Sequence, residues 1–169
     1  MHRLVLVLVI LLTIYSCERE QKSIEEYPLQ VGDINFDADL DNPDFKLCDE
    51  AAVLQYYNFG KGVQYRGEKL SINNYFEDKF KARDLEGDTG FITVRFIVNC
   101  EGKTGRHRIE GMDYNFKKKE FSKELTSSLL QLTKEMDGWL TSEYDGKAYD
   151  YYQYLTFKME KGRLMEIMP

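Results

Sequence analysis

Apolar positions along the chain follow two clear periods, one typical of a strand and one typical of a helix. In residues 91–99 every second side chain is apolar, which predicts a strand whose buried face is formed by Ile92, Val94, Phe96 and Val98. In residues 117–137 apolar side chains recur every three or four positions, which predicts an amphipathic helix with a core stripe of Phe121, Leu125, Leu129, Leu132 and Met136. Residues 106–112 form a second predicted strand. The glycine-containing connection at 100–105 predicts an antiparallel hairpin.

Weaker patterns complete the predicted order of elements. Residues 49–59 suit a short helix or an extended segment, and residues 68–83 carry an apolar helical face. The turn residues Asp145-Gly146 lead into a long predicted strand at 147–159, and residues 164–168 suit a short edge strand. This order predicts an α+β fold, in which helices pack on one face of a small antiparallel sheet.

The first seventeen residues predict export from the cytoplasm. Arg3 precedes a short apolar stretch, and the small Ser16 stands immediately before Cys17. The stretch is shorter than the roughly 20 residues that a membrane-spanning helix needs. It resembles a bacterial lipobox, so we expect residues 1–16 to be a lipoprotein signal peptide and Cys17 to carry a palmitate-type acyl anchor. A plain cleaved signal and an uncleaved anchor are the alternatives.

Residues 17–46 are acidic and polar and lack a helical or strand period, so we interpret them as a flexible tether between the lipid and a domain at 47–169. Acidic side chains at alternate positions of 37–44 resemble the start of a calcium loop. However, Asn42 stands where that loop needs glycine and Cys48 stands where it needs glutamate. A solvated acidic linker is therefore the preferred interpretation.

The net charge limits the classes of partner, and the cysteine content predicts a disulfide. The formal net charge of −6 argues against nucleic acid as a partner and against electrostatic docking to anionic lipid. Lipidation of Cys17 would leave Cys48 and Cys100 as a pair, and we expect a disulfide between them in an oxidising compartment. Two unpaired cysteines are the alternative. Two cysteines and one histidine do not form a zinc site, which needs four ligands.

The sequence contains little that suggests catalysis. His107 is the single histidine after the signal segment, and it lies in a predicted strand where a packing or surface role is the commoner one. The chain lacks a Gly-x-Ser-x-Gly motif and a phosphate-binding glycine loop. We therefore expect a non-enzymatic protein with no catalytic residue, metal or cofactor.

The predicted hairpin, helix and closing strand together resemble the C-terminal domain of TonB. The resemblance covers about residues 65–160. It rests on Gly90 and the strand after it, the turn glycine Gly102, Trp139 after the helix, Gly146, and the closing segment Tyr154-Leu155-Thr156-Phe157. The family's membrane helix, its long proline-rich stretch and the Pro-Gly after its tryptophan are missing. The resemblance therefore implies a periplasmic interaction domain of a Bacteroidota-type envelope lipoprotein, and not an energy transducer.

In TonB-like domains the third strand pairs with a strand of the partner, so the resemblance implies binding of another envelope protein by strand addition. Residues 148–158 or 163–168 would form the contact edge, with the aromatic side chains Tyr149, Tyr151, Tyr152, Tyr154 and Phe157 as candidates. Alternation along the strand sends two of these tyrosines to each face, one pair into the core and one to a surface. The alternatives are a transport accessory that contacts an outer-membrane receptor, a lipoprotein that binds glycan or peptidoglycan through tyrosines, and a homodimer formed by strand exchange.

Overall fold

The computed structural model describes residues 32–82 and 86–168. The predicted signal peptide, Cys17 and the first part of the expected tether lie outside the described residues. The elements follow in the order β1 (Leu54–Gln55), a short 3-10 helix (Tyr56–Phe59), α1 (Glu68–Lys79), β2 (Gly90–Val98), β3 (Thr104–Met112), α2 (Lys123–Lys134), β4 (Ser142–Tyr144), β5 (Lys147–Tyr149), β6 (Tyr151–Glu160) and β7 (Arg163–Met168). Within the described part of the chain, no helix is long and apolar enough to span a bilayer.

The main sheet has five strands and is centred on β6. β2 pairs antiparallel with β6 along its whole length and with β3 on its other side, which confirms the predicted hairpin. The opposite side of β6 is shared by β1, which is parallel, and β7, which is antiparallel. β4 and β5 form a separate hairpin. The predicted α+β class is confirmed.

Both helices contribute side chains to the core on one face of the sheet. Ile92 and Val94 of β2 are fully buried in one cluster with Ile72 of α1 and Leu129 of α2. This arrangement follows from the alternation of β2, because one row of its side chains meets the apolar stripe of α2.

Helix α2 is shorter than the predicted span of 117–137. Its N-cap is Ser122, whose side chain accepts from the Leu125 N–H. The segment before it continues the sheet instead, since the Lys119 N–H donates to the Gly111 carbonyl at the end of β3. Lysines at 117–119 would also be unfavourable in the first turn of a helix, where the macrodipole is positive.

The long strand predicted at 147–159 is interrupted at Asp150. Residues before it pair with β4 and residues after it form β6. The Asp150 side chain is fully buried, and its carboxylate accepts the N–H groups of Cys48, Asp49 and Cys100 at 2.7, 2.8 and 2.9 Å. The break between β5 and β6 therefore lies where this carboxylate joins two distant loops. The predicted disulfide between Cys48 and Cys100 is confirmed at the same place, with a Cα–Cα distance of 6.1 Å.

Residues 32–46, which we call the strap, pack on the face of the sheet opposite the helices. Ile34 is buried against Ile97 and Tyr152. Guanidinium groups of the sheet donate to strap carbonyls, with Arg95 bonding to Gly32, Arg106 to Ile34 and Arg108 to Asn35. The described part of the expected tether is therefore folded onto the sheet, because these arginines supply hydrogen-bond donors for an otherwise irregular backbone.

Candidate interaction surface

Strand β6, which carries most of the tyrosines predicted as a contact edge, is an interior strand. It is hydrogen-bonded on one side to β2 and on the other to β1 and β7. Tyr151, Tyr152 and Phe157 are buried, and Tyr149 and Tyr154 are half-buried. The open edge expected at 148–158 is therefore occupied by neighbouring strands, and these side chains do not form one exposed surface.

The hydroxyl groups of the β6 tyrosines have partners inside the fold. Tyr151 donates to the Leu140 carbonyl at 2.8 Å, and Tyr152 donates to the Asp33 carboxylate of the strap at 3.1 Å. Burial raises the pKa of Tyr154 to about 12. These phenols are neutral structural groups at physiological pH.

Strand β7, the second predicted edge, lies at the border of the sheet. It pairs only with β6, so its outer N–H and C=O groups have no strand partner within the described residues. Met165 has no pairing residue because the register shifts at a bulge, and its side chain is 55% exposed. Of the two contact edges considered from the sequence, 163–168 is therefore the one that the fold leaves open.

A groove of about 570 Å³ runs between β7 and helix α1. Phe76, Phe80, Leu164 and Ile167 supply its apolar lining. Lys69 of α1 and Glu166 of β7 form an ion pair at 3.7 Å beside it. The groove also reaches Asn73, whose buried Oδ1 has no hydrogen-bond partner within 32–82 and 86–168. The open strand edge therefore lies beside a partly apolar cleft with a polar group available for bonding.

At the opposite side of the sheet, the border strand β3 is partly closed by its own chain. Its last residue, Met112, forms a bridge with Lys118, and the Asp113 N–H donates to the Lys117 carbonyl. An incoming strand would have to displace these residues. This leaves β7 as the more accessible edge.

Two groups with catalytic or ligand chemistry are already committed to the fold. Cys48, Cys100 and Asp150 lie close enough to be considered as metal ligands, but both sulfurs form the disulfide and the carboxylate accepts three N–H groups. His107 stacks on Phe96, and burial, helped by Lys134, lowers its pKa to about 4. At neutral pH the imidazole is therefore uncharged and packed against the core.

The sequence did not lead us to expect an exposed aromatic loop. Residues 113–117, which we call the aromatic loop, expose Tyr114 and Phe116 beside Phe91 of β2. The signal for it was Phe116, which stands directly before the lysines at 117–119, in the short stretch between the strand predicted at 106–112 and the helix predicted at 117–137.

Comparisons with protein-family models, with curated proteins and with solved structures found no match to this chain. The arguments about function therefore start from the geometry of the described residues.

Proposed function

We propose that this chain is an envelope protein, anchored by acylated Cys17, whose domain binds an extended segment of another envelope protein at β7. The open outer edge of β7 beside the α1 groove is the observation that carries this proposal. Unpaired N–H and C=O groups on an edge strand are a template for an added strand. Pockets beside that edge select alternate side chains of the partner.

The groove indicates which kind of segment would fit. A strand added to β7 would turn every second side chain toward Phe76, Phe80 and Leu164, so apolar residues at alternate positions are expected. Its other side chains would lie on the opposite face. The partner is therefore a segment of alternating apolar and polar residues.

The order of elements supports a TonB C-terminal-like domain. A hairpin of β2 and β3 is followed by α2, and the closing strand β6 lies beside the first strand of the hairpin. Trp139 follows the helix and is buried, with its ring 4.9 Å from the Phe96 ring.

The disulfide supports an oxidising compartment, since such bonds are rare in reducing cytosol. Together with the short apolar start before Cys17, it favours the cell envelope. Mass spectrometry of the purified N-terminus tests this part. A diacylated or triacylated Cys17 as first residue supports the anchor, and an intact Met1 contradicts it.

Site-specific photo-crosslinking in bacterial cells tests the edge. A photoreactive residue in place of Met165 should crosslink to one extended segment of an envelope protein, identified by peptide mass spectrometry. The matched control is Leu40 of the strap, which is 63% exposed and stands next to Asp41, the ion-pair partner of Arg108 on β3 at the opposite border of the sheet. Crosslinks of equal yield and identity from both positions would contradict a specific edge.

Met165→Lys provides the complementary loss of function. A lysine at an exposed strand edge opposes the addition of a further strand, so capture of the crosslinked partner should fall, whereas Leu40→Lys should leave it unchanged. An outer-membrane receptor as the captured protein would support the transport accessory. Capture of the chain itself would support a homodimer.

A further inference from the structure

The aromatic loop presents apolar surface to solvent in a fixed position. Phe116 is 72% exposed and Tyr114 is 42% exposed. The Phe116 ring stacks on Phe91 of β2 at 5.9 Å, and the Tyr114 ring meets Phe91 edge-on at 5.1 Å. Three rings thus form one continuous patch, here called the aromatic patch, on the face of the sheet that carries no helix.

The loop is held in a strained conformation. The Asp113 carboxylate accepts the N–H groups of Asn115 and Lys117, and the Tyr114 hydroxyl donates to the Met159 carbonyl. Phe116 adopts a φ of 61°, a left-handed conformation that a bulky side chain rarely takes. The hydrogen bonds therefore hold an exposed ring in a conformation that glycine or asparagine would adopt more easily.

Lysines lie next to the aromatic patch, two of them directly after it in the sequence and one on the neighbouring strand β6. Lys117 and Lys118 are exposed, and the Lys158 ammonium lies 6.0 Å from the centre of the Tyr114 ring. The segment 113–119 contains one acidic residue and three lysines, in a chain whose net charge is −6. Glu110 and Glu120 flank it and the acidic strap lies on the same face of the sheet, so the positive charge is confined to the loop. Local charge here is opposite to that of the molecule as a whole.

The chain enters the described structure on the same face. Gly32 is the first described residue, and its carbonyl accepts from Arg95 of β2 at 2.6 Å. Arg95 and Phe91 point to the same side of β2 and are about 13 Å apart along the strand. Fourteen residues lie between Cys17 and Gly32. Fully extended, they reach at most about 50 Å.

We propose that the aromatic patch and its lysines bind the anionic surface of the membrane to which the chain is anchored. Exposed rings enter the interfacial region, and the adjacent ammonium groups pair with lipid phosphates. The inference rests on the proposed anchor, which keeps the patch near the bilayer. With the aromatic loop on the membrane, α1 and the groove beside β7 lie on the other face of the sheet, where they remain open to the proposed partner segment.

A tryptophan reporter in the full-length protein, reconstituted into vesicles, tests the contact. The indole introduced by Phe116→Trp should be quenched by brominated acyl chains in vesicles that contain phosphatidylglycerol, and much less in vesicles of phosphatidylcholine alone. Leu70→Trp is the matched control, because Leu70 is 70% exposed on α1, on the opposite face. The unsubstituted protein corrects for Trp139. Equal quenching of both reporters, or none in either lipid, overturns the proposal.

Charge removal tests the role of the lysines. Lys117→Gln with Lys118→Gln should lower the ratio of inserted to free Phe116→Trp reporter roughly 30-fold, since each lysine near an anionic surface strengthens binding about fivefold. Lys79→Gln with Lys134→Gln, on the two helices, removes the same charge from the other face and should change nothing. If both pairs act alike, only net charge matters and the patch is not the contact.

The outcomes separate the two proposals. An unacylated N-terminus with a lipid-shielded reporter at position 116 refutes the anchor and retains the patch. An acylated N-terminus with a water-exposed reporter at this position retains the anchor and refutes the patch. A reporter shielded to the same extent without vesicles indicates a protein contact and also refutes the membrane assignment.

Discussion

Asp150 is the residue at which one conservative substitution should be most destabilising. Its carboxylate is fully buried and accepts three backbone N–H groups from two loops that lie 50 or more positions away. One oxygen accepts from Cys48 and Asp49, and the other accepts from Cys100. Asp150→Asn keeps the shape of the side chain but replaces one acceptor with a donor.

The expected cost follows from these contacts. At least one N–H group then faces an NH₂ group and loses its acceptor, which costs about 1–3 kcal/mol when the donor is buried. The remaining hydrogen bonds lose their charge-assisted part, on the order of 1 kcal/mol. We expect Asp150→Asn to lower the free energy of unfolding by about 3 kcal/mol with the disulfide intact.

Equilibrium denaturation in urea, followed by fluorescence of the buried Trp139, measures this cost. The control is Asp44→Asn, which removes the same charge from an exposed position of the strap. Repeating Asp150→Asn in a protein in which Cys48 and Cys100 are replaced completes a double-mutant cycle. Its coupling energy should be about 0.5–3 kcal/mol, because the carboxylate and the disulfide share one contact region. A loss at Asp150 within about 0.5 kcal/mol of the control would refute the reasoning.

Three further predictions use the same denaturation assay. Replacing Cys48 and Cys100 by serine opens a loop with a sequence separation of 52 and should lower the free energy of unfolding by about 4 kcal/mol in the chain-entropy model. A loss as small as that of a serine substitution at an exposed surface position would contradict this expectation. Burial lowers the pKa of His107 from 6.5 to about 4, so the unfolded state gains a proton first. Stability should therefore fall by up to about 3 kcal/mol as the pH is lowered through this interval, and an NMR titration of His107 near 6.5 would show the explanation to be wrong. The hydrogen bond from Arg108 lowers the pKa of Asp41, so its ionised carboxylate stabilises the fold above the ordinary value of 3.8 and this contribution is lost as the pH falls through the folded pKa. Asp41→Asn should cost about 2 kcal/mol at pH 7 and nothing in strong acid, and a pH-independent cost would exclude the ion pair as its source.

Periodicity determined the elements that lie in the core. The alternation in 91–99 and the stripe in 117–137 each bury one side of their element, and any packing of the chain has to satisfy them. For this reason β2, β3 and the body of α2 were predicted in place. The pairing of Cys48 with Cys100 was predicted from the number of cysteines and from the expected oxidising compartment. The same patterns could not place the ends of α2 or divide β5 from β6, because those limits are set by the cap at Ser122 and the buried carboxylate of Asp150.

Only the tertiary structure decided which surfaces remain open. The tyrosines of β6 suggested a contact strand, but β1 and β7 pair with the second side of β6, so the open edge is at 163–168. The acidic segment 32–46 has the composition of a linker, yet arginines from β2 and β3 hold it on the sheet. The exposed Phe116 lay in the unassigned residues before the predicted helix, and its neighbouring lysines were assigned to that helix. Local pattern determines which face of an element is apolar, whereas exposure depends on neighbours that are distant in sequence.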